Sequence, residues 1–482
     1  MRALVTIVVL AALSCGVFSQ ASLQLQGEIV EILSSEKPEL TGILAKPRFA
    51  YAPSQVFSLE RQSVGNNYLF IYDLGTKRLT EIRTALRDAG PNITVEDSIR
   101  QAVVYNGQLD WRPRPDDQGQ QWFAFVSNGS QNNRDIYIGF AGGSNYIRLT
   151  TNTAVDSEPK WSPDGNSIAF ISNRSGNGDI YLIHEVDKII ADVNRNIKNF
   201  KITQVTDTAM PEGNPAWNPN PGADLLAYAK KESFPGREVE TFQIRVINLR
   251  LEKDNVFEVT NDPLAHYTRP SWDPYTGSRL LYVGQSFLQN LNAELYVSEL
   301  AWGSDKMLKN KVLEGYKTEV FKNVHLKGTP ALWLAGGEAI LCQEDRPEQN
   351  YPLYSVNVSR WLDKKERAVN YFEDLHNAFP YVSDFDMRKN DFLFIAQEGE
   401  FFKVYLTQVF GDDVVPNKLA EYSLVNPRTG GGASWPSGKW LIIGGAAATA
   451  GAVAYLLLQN GDEGPAIESV PIGLPPSMPG GN

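Results

Sequence analysis

A short phrase returns along this chain at nearly even intervals, and it restricts the fold more than any other feature. Its clearest copy runs Glu158-Pro159-Lys160-Trp161-Ser162-Pro163-Asp164-Gly165, then Ile168-Ala169-Phe170-Ile171-Ser172, then Asp179-Ile180-Tyr181-Leu182. It returns as Asn214-Pro215-Ala216-Trp217-Asn218-Pro219 with Leu226-Ala227-Tyr228 and Gln243-Ile244-Arg245-Val246. A third copy is Arg269-Pro270-Ser271-Trp272-Asp273-Pro274 with Leu281-Tyr282-Val283 and Glu294-Leu295-Tyr296-Val297. Fainter copies surround Trp111 and Trp333, and successive tryptophans lie 50, 56, 55 and 61 residues apart.

Each copy encodes a small antiparallel sheet. The Pro163-Asp164-Gly165 run presets a turn, because proline fixes φ and glycine accepts positive φ. The segments after it are rich in β-branched and aromatic residues, as strands should be. Endings such as Arg148-Leu149-Thr150, Gln204-Val205-Thr206 and Glu258-Val259-Thr260 suggest a fourth, outer strand. One four-stranded sheet cannot bury both of its faces, whereas a ring of such sheets can, and it leaves only short edges. A repeat of this length therefore predicts an all-β fold, a β-propeller of four-stranded blades. A residue type placed at one point of every repeat packs most economically between neighbouring blades, so the five tryptophans are read as core.

Two degenerate units extend the series. Val56–Leu59, Tyr68–Asp73 and Arg78–Thr80 form one before the first tryptophan, and Phe379–Phe385, Phe392–Ala396 and Phe402–Leu406 form one after the last. The count is seven blades, or six if one end unit is an appendage. The expected division is a signal peptide at 1–19, a lead-in at 20–45, the propeller at 46–426 and a Gly-rich linker at 427–439. A single hydrophobic helix follows at 440–458, then an acidic, Pro-rich tail at 459–482.

The two ends argue for export and tethering. Arg2, the apolar run Leu4–Leu13 and Val17-Phe18-Ser19 read as a secretory leader. Trp440–Leu458 is uncharged and long enough to cross a bilayer as a helix. Trp435, Lys439 and Trp440 stand where interface anchors belong, although the tail beyond has no Lys or Arg to mark a cytoplasmic side. With cleavage after Ser19, Cys342 is the sole cysteine, and its apolar strand implies a buried, inert thiol. The net charge of −11 without a basic stripe argues against nucleic acid as a partner.

No catalytic constellation emerges. His184, His266, His325 and His376 show no paired metal spacing, and the chain has no G-x-S-x-G elbow and no phosphate-cradling loop. The sequence therefore implies no metal and no cofactor. Asp384 and Asp386 read as a turn or a solvent-facing pair. The residues five and three before the clear tryptophans are Asp156 and Glu158, Glu212 and Asn214, Tyr267 and Arg269. If the repeats align, these six converge on the rim of the central channel, either as a binding surface or as hydrogen-bonding ties between blades.

The Trp161-Ser162-Pro163-Asp164-Gly165 motif, with Ala169–Arg174 and Asp179-Ile180-Tyr181, resembles the TolB-type propeller repeat, also called WD40-like or PD40. The likeness extends over roughly residues 46–410. The stretch ahead of it is too short for the separate N-terminal α/β domain of that family, and the C-terminal apolar segment is a further departure. Related propellers act as periplasmic protein-interaction scaffolds, as the front half of prolyl oligopeptidase-like enzymes, and as lyases of oligogalacturonate. A propeller without a nucleophile or metal cluster, joined by a linker to an apolar segment, reads first as a non-enzymatic scaffold of the cell envelope, anchored through the C-terminal helix, that binds a protein or peptide at the rim. The alternative is a carbohydrate-active enzyme, a lyase or hydrolase, in which His266 beside Tyr267 and Arg269 would take part.

Overall fold

The computed structural model describes residues 24–51, 53–84, 104–129, 133–191, 201–252, 255–287, 292–300, 317–334, 336–363, 369–379 and 381–410. The leader, the apolar segment 440–458 and the tail lie outside these residues. Among the described residues, no helix is long and apolar enough to cross a membrane.

Seven four-stranded antiparallel sheets form the ring. Blade 1 comprises Ile43–Phe49, Val56–Ser63, Asn66–Asp73 and Arg78–Ile82. Blade 2 begins at Asn106, blade 3 at Asp156, blade 4 at Glu212, blade 5 at Ala265, blade 6 at Ala331 and blade 7 at Val382. Within blades 1 to 6 the strand order is sequential, innermost to outermost. Blade 7 differs. Its own chain supplies Val382–Arg388, Asp391–Glu398 and Phe401–Phe410, and its outermost strand is Gln24–Ser34. The segment read as a lead-in is thus the strand that shuts the ring, pairing Gln24 with Phe410 and Ser34 with Lys403.

This topology gives the ring two distinct ends. Inner strands start at one end, here the rim end, which also carries the turns between second and third strands. The opposite end carries the turns that follow the tryptophans. Because Gln24 pairs with Phe410, both limits of the described chain leave at that opposite end.

Second strands form the dry centre of the sheets. Residues 122–127, 168–172 and 339–343 are buried without interruption, as expected for strands covered on both faces. Cys342 is among them, and burial pushes its thiol well above the usual range.

The repeat tryptophans pack between blades and also tie them. Trp111 Nε1 donates to the Arg48 carbonyl (3.1 Å), and Trp217 to that of Lys160, Trp272 to Ala216 and Trp333 to Ser271 (each 3.0 Å). In every case the acceptor is the residue before the equivalent aromatic of the preceding blade. Trp161 breaks the pattern: its Nε1 is buried without a partner, and the buried Arg112 guanidinium lies over its ring, 5.8 Å from the centroid. Trp111, Trp161, Trp272 and Trp333 are buried, whereas Trp217 is only half-buried. The expectation of five equally buried tryptophans is corrected at that one position.

Replacing Trp161 by Ala should cost about 3–5 kcal/mol, as for other buried aromatics. A finer test compares Phe at two positions. Trp272→Phe strands the Ala216 carbonyl, but Trp161→Phe removes an N–H that has no partner. The first should therefore cost about 1–3 kcal/mol more than the second in urea unfolding; equal costs would contradict the indole ties.

Candidate functional site

The inner strands of blades 1 to 5 are each interrupted by a bulge two to three residues before the aromatic, for example between Ser157 and Lys160 and between Gly213 and Ala216. The residue three before that aromatic takes the left-handed conformation in five consecutive blades. These are Lys46 (φ 51°), Gln108 (52°), Glu158 (52°), Asn214 (54°) and Arg269 (55°). None is glycine, so each carries a conformational cost of about 1–3 kcal/mol. A recurring strain of this kind needs a recurring compensation.

The compensation is a hydrogen bond from each strained amide to the preceding blade. Glu158 N donates to Gln108 Oε1 (2.9 Å), Asn214 N to Glu158 Oε2 (2.6 Å), and Arg269 N to Asn214 Oδ1 (3.1 Å). Lysine has no acceptor, so Lys46 cannot serve blade 2 in this way. Glu60, buried in the second strand of blade 1, takes its place. It accepts from Gln108 N (2.7 Å) and Asn67 Nδ2 (3.1 Å) while pairing with Lys46 Nζ (3.0 Å).

The chain of bonds stops where its chemistry runs out. Arg269 offers no acceptor, and the residue at the same phase of blade 6 is Pro330, which offers no N–H. Beyond this break, blade 7 joins blade 6 to blade 1. Asp384 accepts from Thr329 N (2.9 Å), Thr329 Oγ1 (2.7 Å) and, across the closure, Lys46 N (2.8 Å). Asp386 accepts from Phe49 N (2.7 Å), and burial pushes its carboxyl up. These two aspartates were expected in a turn or facing solvent. The bulge between Val382 and Asp384 instead turns them into the joint with blade 1.

The six rim candidates therefore fall into two groups. Glu158, Asn214 and Arg269 come together in the inter-blade relay, with Arg269 exposed and the other two half-buried. Asp156, Glu212 and Tyr267 are buried and separate. Asp156 receives Arg174 Nη2 at 3.1 and 3.2 Å, and Tyr267 donates its hydroxyl to Asp262 Oδ2 (3.0 Å). Glu212 accepts from the hydroxyls of Thr206 and Thr208, on the outer part of blade 3. Of the relay members not singled out from sequence, Gln108 could have been found by counting back from Trp111. Glu60 has no phase in the repeat and carries no such signal.

The histidines stay apart. His266 Nδ1 accepts from Phe242 N (3.0 Å) with its ring between Phe242 and Phe287, while His184 bonds Thr203 and His325 bonds Asp345. Among the described residues no three His, Cys, Asp or Glu side chains are placed to hold a metal ion.

No family model matches the chain. A stretch of 47 residues is 53% identical to the Tol-Pal system protein TolB of Bordetella pertussis, and one of 61 residues is 38% identical to the protein of that name from Desulfosudis oleivorans. The ring is a TolB-like β-propeller. The matches span 11% and 14% of the length of those relatives and 10% and 13% of this chain. Among solved structures, an oligogalacturonate lyase in complex with manganese has a TM-score of 0.47 at 11% identity, over 83% of this chain and 98% of that one. A putative TolB from Agrobacterium tumefaciens has a TM-score of 0.35 at 15% identity, over 63% and 90%.

Two buried carboxyls of this TolB-like ring have shifted titrations. Burial pushes Glu212 up to about 7, opposed by Thr206 and aided by nearby Asp179. Burial also pushes Asp135 up to about 6 against its partner Arg148. A carboxyl with a raised folded pKa favours the fold when protonated, and that contribution is lost as pH rises through the folded value. For Glu212 the loss falls between about pH 4.5 and about pH 7. Glu212→Gln should flatten the pH dependence of stability in that window, measured by denaturant melts at several pH values. An unchanged slope would mean Glu212 stays ionised in the fold.

Proposed function

We propose that this chain is an exported, membrane-tethered propeller scaffold, non-enzymatic, that binds a protein or peptide partner at the channel rim. The observation that carries the reading is how the ring's two ends differ. Of nine large apolar side chains exposed among the described residues, Ile43, Val64, Val155, Val239, Phe287 and Phe401 all sit on rim-end turns or strand starts. Tyr51 and Tyr275 lie on turns at the opposite end, and Val30 on the outer strand of blade 7. Single exposed apolar residues are ordinary on any protein, but their concentration at one end suits an interaction face.

The opposite end is where the chain leaves toward the apolar segment 440–458. A tether there turns the rim away from the membrane and toward partners. The TolB resemblance supports a periplasmic setting and a protein as the bound species. Lys46 and Arg269, exposed at the inner wall, add fixed charge that would orient an incoming segment.

The test is capture of partners from detergent extract by the full-length protein. Val64→Asp combined with Val239→Asp should abolish capture while moving stability by about 0.5 kcal/mol or less, since both are exposed. The matched pair Tyr51→Asp and Tyr275→Asp, at the other end, should leave capture intact. Loss of capture only with the second pair would overturn the assignment of the binding end. Release of the full-length protein by carbonate without detergent would overturn the tether.

A further inference from the structure

One joint of the ring is built differently from its neighbours, at the end opposite the rim. In three joints, the residue after the repeat aromatic, or after Met387 that stands in its place in blade 7, reaches across to the turn of the next blade. Arg388 donates to the Ala50 carbonyl (3.1 Å) and to Ser54, with its guanidinium 4.5 Å from the Phe49 ring. Arg112 donates to the Gly165 carbonyl (2.9 Å) and lies over Trp161, and Asn218 Nδ2 donates to the Gly277 carbonyl (2.7 Å). Between blades 3 and 4 the same position is Ser162. Its short hydroxyl is spent inside its own turn, donating to Asp164 Oδ1 (2.6 Å) and accepting from Ser167 N (2.9 Å).

The joint therefore stays open. A cavity of about 380 Å³ lies there, and Trp217, the one repeat tryptophan that is not buried, lines it. The volume falls in the lower part of the small-ligand range, roughly 300–1,000 Å³. The indole N–H is committed to the Lys160 carbonyl, so what Trp217 has to offer a ligand is hydrocarbon surface.

Charge narrows the occupant further. Among the described residues no Lys or Arg lines the cavity, which disfavours an anion. Both lining carboxylates are engaged: Asp224 with Arg250 Nε (2.6 Å), and Asp164 with the Ser162 hydroxyl and Asn166 N (3.1 Å). His184 is bonded to Thr203, and burial with nearby Lys201 shifts its pKa down. The lining is thus close to neutral, with the amides of Gln204 and Asn255 beside an aromatic wall. Planar hydrogen-bonding groups next to an indole suit a ligand with an apolar C–H face and a rim of hydroxyls.

We infer that the cleft between blades 3 and 4 is a binding site for a neutral saccharide of one or two rings, stacked on Trp217. The site is at the end opposite the proposed partner face and does not rest on that reading.

The test is saturation-transfer NMR on full-length protein with cellobiose, maltose and di-N-acetylchitobiose, alongside a galacturonate disaccharide and tetramethylammonium as charged probes. At least one neutral disaccharide should bind saturably, and the charged probes should not. Trp217→Ala should weaken binding about tenfold or more, as expected for loss of an aromatic platform. Because that variant risks the fold, Ser162→Arg provides the second arm. It recreates the Arg112-over-Trp161 arrangement, and should close the cleft and abolish binding in a protein that still melts cooperatively. Saccharide binding that survives Ser162→Arg would place the site elsewhere and overturn the inference. Binding of tetramethylammonium alone, or of no probe, would overturn it equally.

Discussion

The ring rests on one recurring exchange. A main-chain amide in a strained, left-handed bulge donates to the side chain at the same position of the preceding blade. Without that bond each bulge would carry its strain and leave a polar group unpaired at the channel wall. With it, the strain of one blade is compensated by its neighbour, so no blade is at its best alone. This is why the residue at that position must be both a donor through its backbone and an acceptor through its side chain. It also explains why the relay ends at Arg269, which lacks a side-chain acceptor, and at Pro330, which lacks both functions. Asp384 then has to bond two blades at once.

That exchange also separates the two possible meanings of polar residues near a channel. Glu158 and Asn214 look from their phase like a recognition surface, yet their side chains already satisfy main-chain groups. Their substitution would disturb the ring as much as any partner. The side chains at the rim end with no such internal duty are the apolar ones on the turns. On the proposed reading, recognition and cohesion fall to different residue types on the same blades.

Much of this was legible in the sequence. The tryptophan phase revealed five blades, and the strand-rich units on either side brought the count to seven. Counting back from each tryptophan reached Glu158, Asn214 and Arg269. What a phase cannot tell is whether a carboxylate at that position meets water or an amide, because that depends on the twist between two blades far apart in the chain. Glu60 was invisible because it substitutes for an acceptor that Lys46 lacks, a requirement apparent only once the relay is known. Asp384 and Asp386 alternate like any exposed pair, and only the bulge beside them turns both to the joint. The half-exposure of Trp217 was equally hidden, since it follows from the shortness of Ser162 one blade earlier. The role of Gln24–Ser34 left no trace either, as that strand lies outside the repeat.

The closure by Gln24–Ser34 sets the order in which the ring can be finished. Gln24–Ser34, the first of the described strands, must remain unpaired until Phe401–Phe410 exists. Closing a loop of that length is slow and entropically costly, although the cost grows only logarithmically with length. Until then the outer edge of blade 7 is an open template for pairing with other chains. Six blades can stack while the seventh waits for the pairing of Gln24–Ser34 with Phe401–Phe410, which completes the ring. Once made, that single ladder acts as a latch. Opening any joint elsewhere strains the rest of the ring, and wholesale unfolding should begin where the two ends part.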